Sequence, residues 1–593
     1  MKQNKYFNKL AGSALLLAGA AVGFTACSSD EEFSGTPTTP TAGETVKTQF
    51  AISVPYAKQS HKRLGSGIVQ ADERTFRGIK NLSLIPHTAV VTDDATFTLG
   101  RRIIPGQGEL DGSGLDKVQG SAVLYNDVDV PVTTAAFLVY AEAKTTSEDK
   151  VANGALTISY DATPITGATR ASDLKFSLNN IYTDATEPAQ FAQLLAVLNG
   201  VDEAFGTPTG TQMTALHTSF IAMKAGSSNS ILAMLNDLYD ELASITGTEA
   251  TAAATVMNKI KDYMTVSGAA DANGHYTMSW TNTGLENFPG SIGLPDGAVQ
   301  VKHEAGTHFE YVTNVEYGEA GASGLNAPAL ASYVYPPSLF YTTNTTIKVA
   351  DESKANAYTS ATDWNALLGN YTTTGAVTAT TRSIALVNQL QYAVGRFDVK
   401  PQFVGTIYDR PDAGGNKNVV IIGAKSFKLT GILIGAQKQD AAWDFKPVTT
   451  SADKTIYDRS FENYYVTGTA PATPAYSLAL ETIALTNAGD GKVPFALELQ
   501  NLGTSFNGKE GKVPANGKFY LVGMLDKASI KAGTSSVATS VFAQDYKTIA
   551  DVKIRSLANA YNVIPDLRAS KLELGLSVDL KWEKGIEFDV TID

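Results

Sequence analysis

From Leu572 to Trp582 every second residue is apolar: Leu572, Leu574, Leu576, Val578, Leu580 and Trp582 share one parity. After Lys584 and Gly585 the pattern returns in Ile586, Phe588, Val590 and Ile592. Successive side chains of a strand point to opposite faces, so a period of two gathers these residues on one face only if the chain is extended; a helix would scatter them around its axis. The stretch VKTQFAISVPY at 46–56 does the same through Val46, Phe50, Ile52 and Val54. Shorter apolar runs recur in GIKNLSLIP, SAVLYNDV, TAAFLVYAEA, NVVIIGAKSFKLTGILIG, PFALELQ and GKFYLVGML. Threonine and valine recur in these runs, 51 glycines are spread along the chain, and a mainly β architecture is predicted. At 593 residues the chain exceeds one ordinary core, and two or three domains are expected.

One region breaks the pattern. Phe191, Leu194, Leu195 and Leu198 recur at helical spacing, with Thr186 as a cap and Pro188 in the first turn. Further helical stripes run through Met213, Leu216, Phe220 and Met223, then Ile231, Leu235, Leu238, Tyr239 and Leu242, then Val256, Ile260, Tyr263 and Met264. Five of the eight methionines fall between Met213 and Met264. A methionine-lined peptide groove would use such residues, but an apolar stripe is what any packed helix needs. A helical insertion over about 187–264, packed onto the sheets, is therefore expected.

The start of the chain addresses it. Lys2, Lys5 and Lys9 precede an apolar stretch from Leu10 to Phe24, which ends in Thr25-Ala26-Cys27. As a helix that stretch would rise about 22 Å against a hydrocarbon core of roughly 30 Å, so it reads as a cleavable export signal over residues 1–26. FTAC resembles the lipobox of bacterial lipoproteins, which implies cleavage before Cys27 and acyl groups on its thiol. Cys27 is the only cysteine, so the mature chain has neither disulfides nor a cysteine metal site. Residues 27–45, opening SSDEEFSGTPTTPTAGE after Cys27, form a polar tether that cannot bury a core. The acids from Asp30 resemble the surface-export signal of Bacteroidetes lipoproteins.

Little else carries chemistry. A net charge of −12, with 47 basic residues against 59 acidic, gives no footprint for nucleic acid. His303-Glu304-Ala305-Gly306-Thr307-His308 places its histidines five apart, not four, so one helix turn cannot present both to a zinc ion. Asp127 and Asp129 lack the alternation and closing glutamate of a calcium loop and read as a solvated turn. No G-x-S-x-G elbow occurs. No enzyme activity, cofactor or metal is expected. A glycan site built from scattered tyrosine and tryptophan would leave no linear signature and stays open.

Several segments in order resemble one family: FRGIKNLSLIP at 76–86, GSIGLPDGAVQVKH at 290–303, YVYPPSLFYTTNT at 333–345, TRSIALVNQLQYAVGRF at 381–397, FKLTGILIGAQ at 427–437, WDFKP at 443–447, VPANGKFYLVGMLD at 513–526, VFAQDYKTIADVKIRSLANAYNVIPDLR at 541–568 and LELGLSVDLKW at 572–582. Together they resemble the fimbrillins, structural subunits of Bacteroidales type V fimbriae. The resemblance implies two transthyretin-like β-sandwich domains, 46–397 with the helical insertion and 398–593 with terminal donor-strand candidates. It also implies an outer-membrane lipid-anchored precursor at the cell surface, held through acyl groups on Cys27 and delivered by lipoprotein export machinery. An arginine-specific protease would then cut in the loop after the first strand, with Arg63 in HKRLGSG the expected site and Arg74 and Arg77 the weaker ones. Removal of Val46–Tyr56 would open a groove for strand exchange with other fimbrial subunits, the donor being the terminal pair Leu572–Trp582 and Ile586–Ile592. Adhesion to a host or bacterial surface ligand would follow from assembly. The rival expectation is a non-polymerising surface lipoprotein serving as a glycan-binding or adhesive module.

Overall fold

The computed structural model describes residues 174–181, 188–272, 274–288, 294–304, 307–312, 332–337, 391–459, 464–468, 492–527, 540–544, 546–567 and 574–584, together with the separate strands 45–53, 79–87, 122–131, 136–143, 156–158, 340–349, 384–386, 481–484, 530–531 and 591–592. The strands that organise the fold are β1 (Thr45–Ser53), β2 (Ile79–His87), β3 (Ala122–Pro131), β4 (Ala136–Ala143), β5 (Phe340–Val349), β6 (Ile384–Leu386), β7 (Gly395–Phe403), β8 (Phe427–Lys438), β9 (Asp453–Asp458), β10 (Lys492–Asn501), β11 (Lys518–Asp526), β12 (Tyr546–Ile554), β13 (Leu576–Lys584) and β14 (Thr591–Ile592). Among the described residues between β4 and β5 are four α-helices: α1 (Pro188–Phe205), α2 (Thr211–Ile221), α3 (Ser228–Ala243) and α4 (Ala250–Lys261). The result is a mixed fold dominated by strands in several sheets, with one helical segment.

β8, β10 and β11 are central because both of their faces are buried. On one face Leu429, Ile432, Phe495, Leu497, Leu499, Phe519 and Leu521 share a core with Phe397 and Val399 of β7 and with Ala550, Val552 and Ile554 of β12. On the other, Leu433, Ala496, Tyr520 and Val522 share a second core with the helices, through Leu194, Leu198, Ile231, Leu235, Val256 and Ile260. The central sheet, ordered Tyr333–Val334, β9, β8, β10, β11, thus lies between a second sheet and a helical layer. The second sheet is ordered Glu481–Ala484, β7, β12, β13, Ile530–Lys531. Two buried faces account for near-continuous apolar runs such as PFALELQ, where alternation is blurred.

Most residues of the helical stripes read from the sequence are buried, but Leu195 and Tyr263 are half-buried, and Met264 lies past the end of α4 on the short strand Met264–Val266. Phe191, Leu194 and Leu198 on α1, Met213, Leu216 and Phe220 on α2, and Ile231, Leu235 and Leu238 on α3 all face the second core. The methionines serve packing: Met213, Met223 and Met264 are each under 5 % exposed. In sequence the helices interrupt the first half of the chain, yet they seat on a sheet whose main strands come from the second half. α3 begins at a capped turn, with the Ser227 side chain accepting from Ser230 N–H at 3.1 Å.

A further sheet runs β2, β4, β5, β6, β14, β1, β3. It meets the other layers through a ring cluster in which Phe176 stacks on Phe445 at 4.1 Å and Tyr140 meets Phe176 edge-on at 5.0 Å. Phe445, from WDFKP, holds φ at +60°, a conformation tolerated because its ring is fully buried in that cluster.

Candidate functional site

β1 is an interior strand. On one side it runs antiparallel to β3 through eight residue pairs, from Thr45 opposite Pro131 to Ser53 opposite Ala122, with an irregularity between Thr48 and Phe50. On the other it pairs with β14, Phe50 opposite Ile592 and Ala51 opposite Thr591. β14 in turn pairs with β6, Ile384 opposite Ile592 and Ala385 opposite Thr591. Residues from positions 384, 592, 50 and 125 therefore line up across four strands. The strand after β1 in the chain, β2, lies at the opposite edge of this sheet. Pairing with β3 and β14 holds β1 in place; no short hairpin to its successor does.

The two terminal runs have separate places. β13 pairs with β12 along all nine residues, from Leu576 opposite Ile554 to Lys584 opposite Tyr546, and completes the sheet that faces the central one. The last run reaches back into the sheet that contains β1. The sequence pattern made both runs strands of equal promise as donors; the register separates them.

Cys27 and Arg63 lie outside the described residues, as do Arg74 and Arg77. Asp127 and Asp129 are not in a turn, as the sequence suggested, but on β3, with Asp129 opposite Lys47. The polar–apolar alternation in YNDVDVP suits a strand, and here it outweighs the aspartates' turn preference. His303 ends the strand Gln300–His303, and its Nε2 lies 3.0 Å from Oδ2 of Asp202 on α1. The other oxygen of Asp202 is 2.8 Å from Nε2 of His217 on α2. One carboxylate thus joins two helices and a strand. Among the described residues no group of three or more His, Cys, Asp or Glu side chains is placed to hold a metal ion.

Sequence reasoning missed a buried ionic cluster between the helical layer and the central sheet. Glu498 on β10 is fully buried, in the face that meets the helices. Its carboxylate accepts from Lys518 Nζ at 2.8 Å, Thr430 Oγ1 at 2.7 Å, Tyr457 Oη at 3.2 Å and Tyr520 Oη at 2.6 Å. The Tyr520 hydroxyl also contacts the backbone carbonyl of Asp296, and its single proton serves one acceptor at a time. Asp296, buried in the segment after the helices, accepts from Ser230 at the start of α3. Burial pushes the Glu498 carboxyl up, but the Lys518 ammonium and the donated hydrogen bonds outweigh it and hold it below the usual carboxylate range. Asp296 goes the other way: burial raises it, and Lys518 and the serine hydroxyls only partly offset that. Burial, then the Glu498 charge, drives both tyrosines far above their ordinary value. A second polar tie has Lys512 2.7 Å from Asp237 and 2.5 Å from Glu241, both on α3. The signal in the sequence was Glu498 standing inside the otherwise apolar run from Val493 to Leu499.

No helix among the described residues is long and apolar enough to cross a membrane. No protein-family model matches the chain, and no curated protein matches it. It is similar to solved structures of candidate cell adhesion proteins. One, from Parabacteroides distasonis ATCC 8503, is 9% identical over 90% of this chain and 97% of that one, with a TM-score of 0.26. Another, from Bacteroides eggerthii DSM 20697, is 8% identical over 55% of this chain and 88% of that one, with a TM-score of 0.20. A second Parabacteroides distasonis protein is 10% identical over 41% and 83%, with a TM-score of 0.17.

Proposed function

We propose that the chain is a structural, non-enzymatic subunit of a cell-surface fimbrium, exported as a lipoprotein acylated at Cys27 and matured by an arginine-specific protease at Arg63. On this reading the layered sheets form two transthyretin-like sandwiches, 46–397 and 398–593, and the precursor sits on the outer membrane until it is cut. The observation that carries the reading is the position of β1, an interior strand flanked by β3 and β14 whose chain successor lies at the far edge of the sheet. A cut at Arg63 would sever β1 from everything after it, so that its pairing with β3 and β14 would have to help retain it. Its departure exposes main-chain donors and acceptors on β3 that a strand from another subunit can satisfy.

The donor narrows to the last run. Extracting β13 would break nine residue pairs with β12 and open a core, whereas β14 has two pairs with each neighbour. The proposed partners are other subunits through strand exchange and a surface ligand for adhesion. Treating the precursor with an arginine-specific protease tests this: a new terminus at Leu64, loss of β1 and ordered multimers are expected. An uncut precursor, or a cut one that retains β1 and stays monomeric, favours the solitary surface lipoprotein acting as an adhesive or glycan-binding module.

A further inference from the structure

β3 pairs with β1 through eight residues against two for β14, so it sets what a strand in the place of β1 must match. The two strands do not keep one register. Up to Thr48, opposite Val128, each step along β1 is one step back along β3; from Phe50, opposite Tyr125, the count is displaced by one. Gln49 alone therefore stands against two residues of β3, Asn126 and Asp127, which makes the irregularity a β-bulge on β3. The bulge changes the parity of β3 and not that of β1. Val46, Thr48, Phe50 and Ile52 lie opposite Val130, Val128, Tyr125 and Val123, so one run of alternate residues on β1 meets even positions of β3 before the bulge and odd positions after it.

The other run of alternate positions carries the charge. There Lys47 lies opposite Asp129, and Gln49 stands against the bulge that contains Asp127. Lys47 is the only charged residue of β1, Asp127 and Asp129 are the only ones of β3, and Thr591 and Ile592 of β14 add none. β1 thus meets an acidic neighbour with a cation in register, and directly opposed residues of unlike charge favour a strand pair. The last run offers the reverse. In the place of β1 it would run antiparallel to β3, with Ile586, Phe588, Val590 and Ile592 at the places of Val46, Thr48, Phe50 and Ile52. A shift of two residues either way takes one of the four out of that set, and a shift of one moves them all to the other face. In this register Glu587 falls opposite Asp129, and Asp589 falls against the bulge with Asp127. Like charges directly opposed weaken the pairing.

We propose that Asp129, with Asp127 in the bulge, is a charge filter on strand exchange: it favours β1, which offers Lys47, over the last run of a second copy, which offers Glu587 and Asp589. The proposal rests on the strand-exchange reading above and adds a specificity to it. A tethered β1 is always at hand and outcompetes a neighbour's strand. Once severed, β1 can diffuse away, and the mismatched strand then has no rival for β3.

The test is fluorescence anisotropy on the full chain after cleavage by an arginine-specific protease. The labelled peptides are residues 45–53, the same with Lys47→Glu, residues 585–593, and the same with Glu587→Lys. Lys47→Glu should weaken binding of its peptide by about threefold to tenfold, and Glu587→Lys should strengthen its own by a similar factor, as reversing one opposed pair requires. Both differences should shrink at 1 M salt, where the screening length falls to about 3 Å, and should drop below about twofold in the Asp129→Asn protein. If that variant fails to fold, the salt dependence of the unaltered protein still decides. Equal binding of each peptide and its charge-swapped form overturns the filter and leaves strand exchange standing. Failure of every peptide to bind the cut protein overturns strand exchange itself, and the filter with it.

Discussion

Replacing Lys518 with methionine isolates the ionic cluster that joins the helical layer to the central sheet. The stem keeps nearly the same length, so packing along β11 survives while the ammonium 2.8 Å from Glu498 Oε1 is lost. Glu498 then stays fully buried as a carboxylate with hydroxyl donors but no cation. Removing one partner of a buried pair costs about 3–5 kcal/mol, because the remaining charge keeps its desolvation penalty. Equilibrium denaturation followed by far-UV circular dichroism and tryptophan fluorescence should register that loss. Combining Lys518→Met with Glu498→Gln should recover most of it, leaving a deficit of about 1–2 kcal/mol, since an amide oxygen still accepts from Tyr520 and Thr430 without a charge to desolvate. Hydrogen exchange should show the single variant opening first at the α3 start and around Asp296, which the cluster ties to β10 and β11. A loss below about 1 kcal/mol would be the size of a solvent-screened surface pair and would refute the reasoning.

Asp296 gives a pH signature of definite sign. Its folded carboxyl is raised by burial, so the folded state holds its proton longer than the unfolded one, and its contribution to stability falls as pH rises from the ordinary carboxylate range through the raised value. Asp296→Asn should remove that slope in a series of urea melts, while wild-type slope in the variant would discount the assignment. Gly297 adopts φ of +85°, and a Cβ there would lie 2.6 Å from Ile564 N and 2.7 Å from Val563 Cα, both backbone atoms. Gly297→Ala should therefore cost more than about 2 kcal/mol, combining left-handed strain with a contact that no side-chain rotation relieves; a thermal midpoint equal to wild type would contradict it. Deleting 585–593 removes the two-residue pairings of β14 and should leave a folded monomer, with a loss of about 2 kcal/mol or less, that no longer polymerises after protease treatment. Normal polymers from that truncation would exclude the last strand as donor.

The sequence made some elements legible because their patterning was local. α1 to α3 carry their apolar residues at helical spacing, and the buried side chains Leu194, Leu198, Met213, Phe220, Ile231 and Leu235 are those the stripe named. β1 and β13 were equally plain from parity. Their neighbours were not: alternation says which residues share a face, not which strand lies alongside. Nothing within residues 586–592 says that Ile592 sits between Ile384 and Phe50, because that pairing joins three segments far apart in the chain. For the same reason the helices, placed by order in the first half, seat on β8, β10 and β11 from the second. The sheet they cover signals this only through Leu433, Ala496, Tyr520 and Val522, apolar at positions where a one-sided strand would be polar.

That placement bears on what an assembly of such chains would transmit. If β1 leaves and a neighbour's strand enters, the mechanical link passes through the sheet containing β3 and β14, and from there into the double-sheet core by way of Tyr140, Phe176 and Phe445. The helical layer lies on the far side of the central sheet and takes no part in that pairing. It also covers the apolar face that Leu433, Ala496 and Val522 would otherwise present to solvent, and an apolar face of that kind left bare is an aggregation site. The buried charges make its seating specific: Glu498 must find Lys518 and two tyrosine hydroxyls, and a shifted helix layer would leave Asp296 and Glu498 facing hydrocarbon. On the proposed reading, a helical cap fixed on the second half and an exchangeable β1 in the first would divide the molecule into a part that must not move and a part that can.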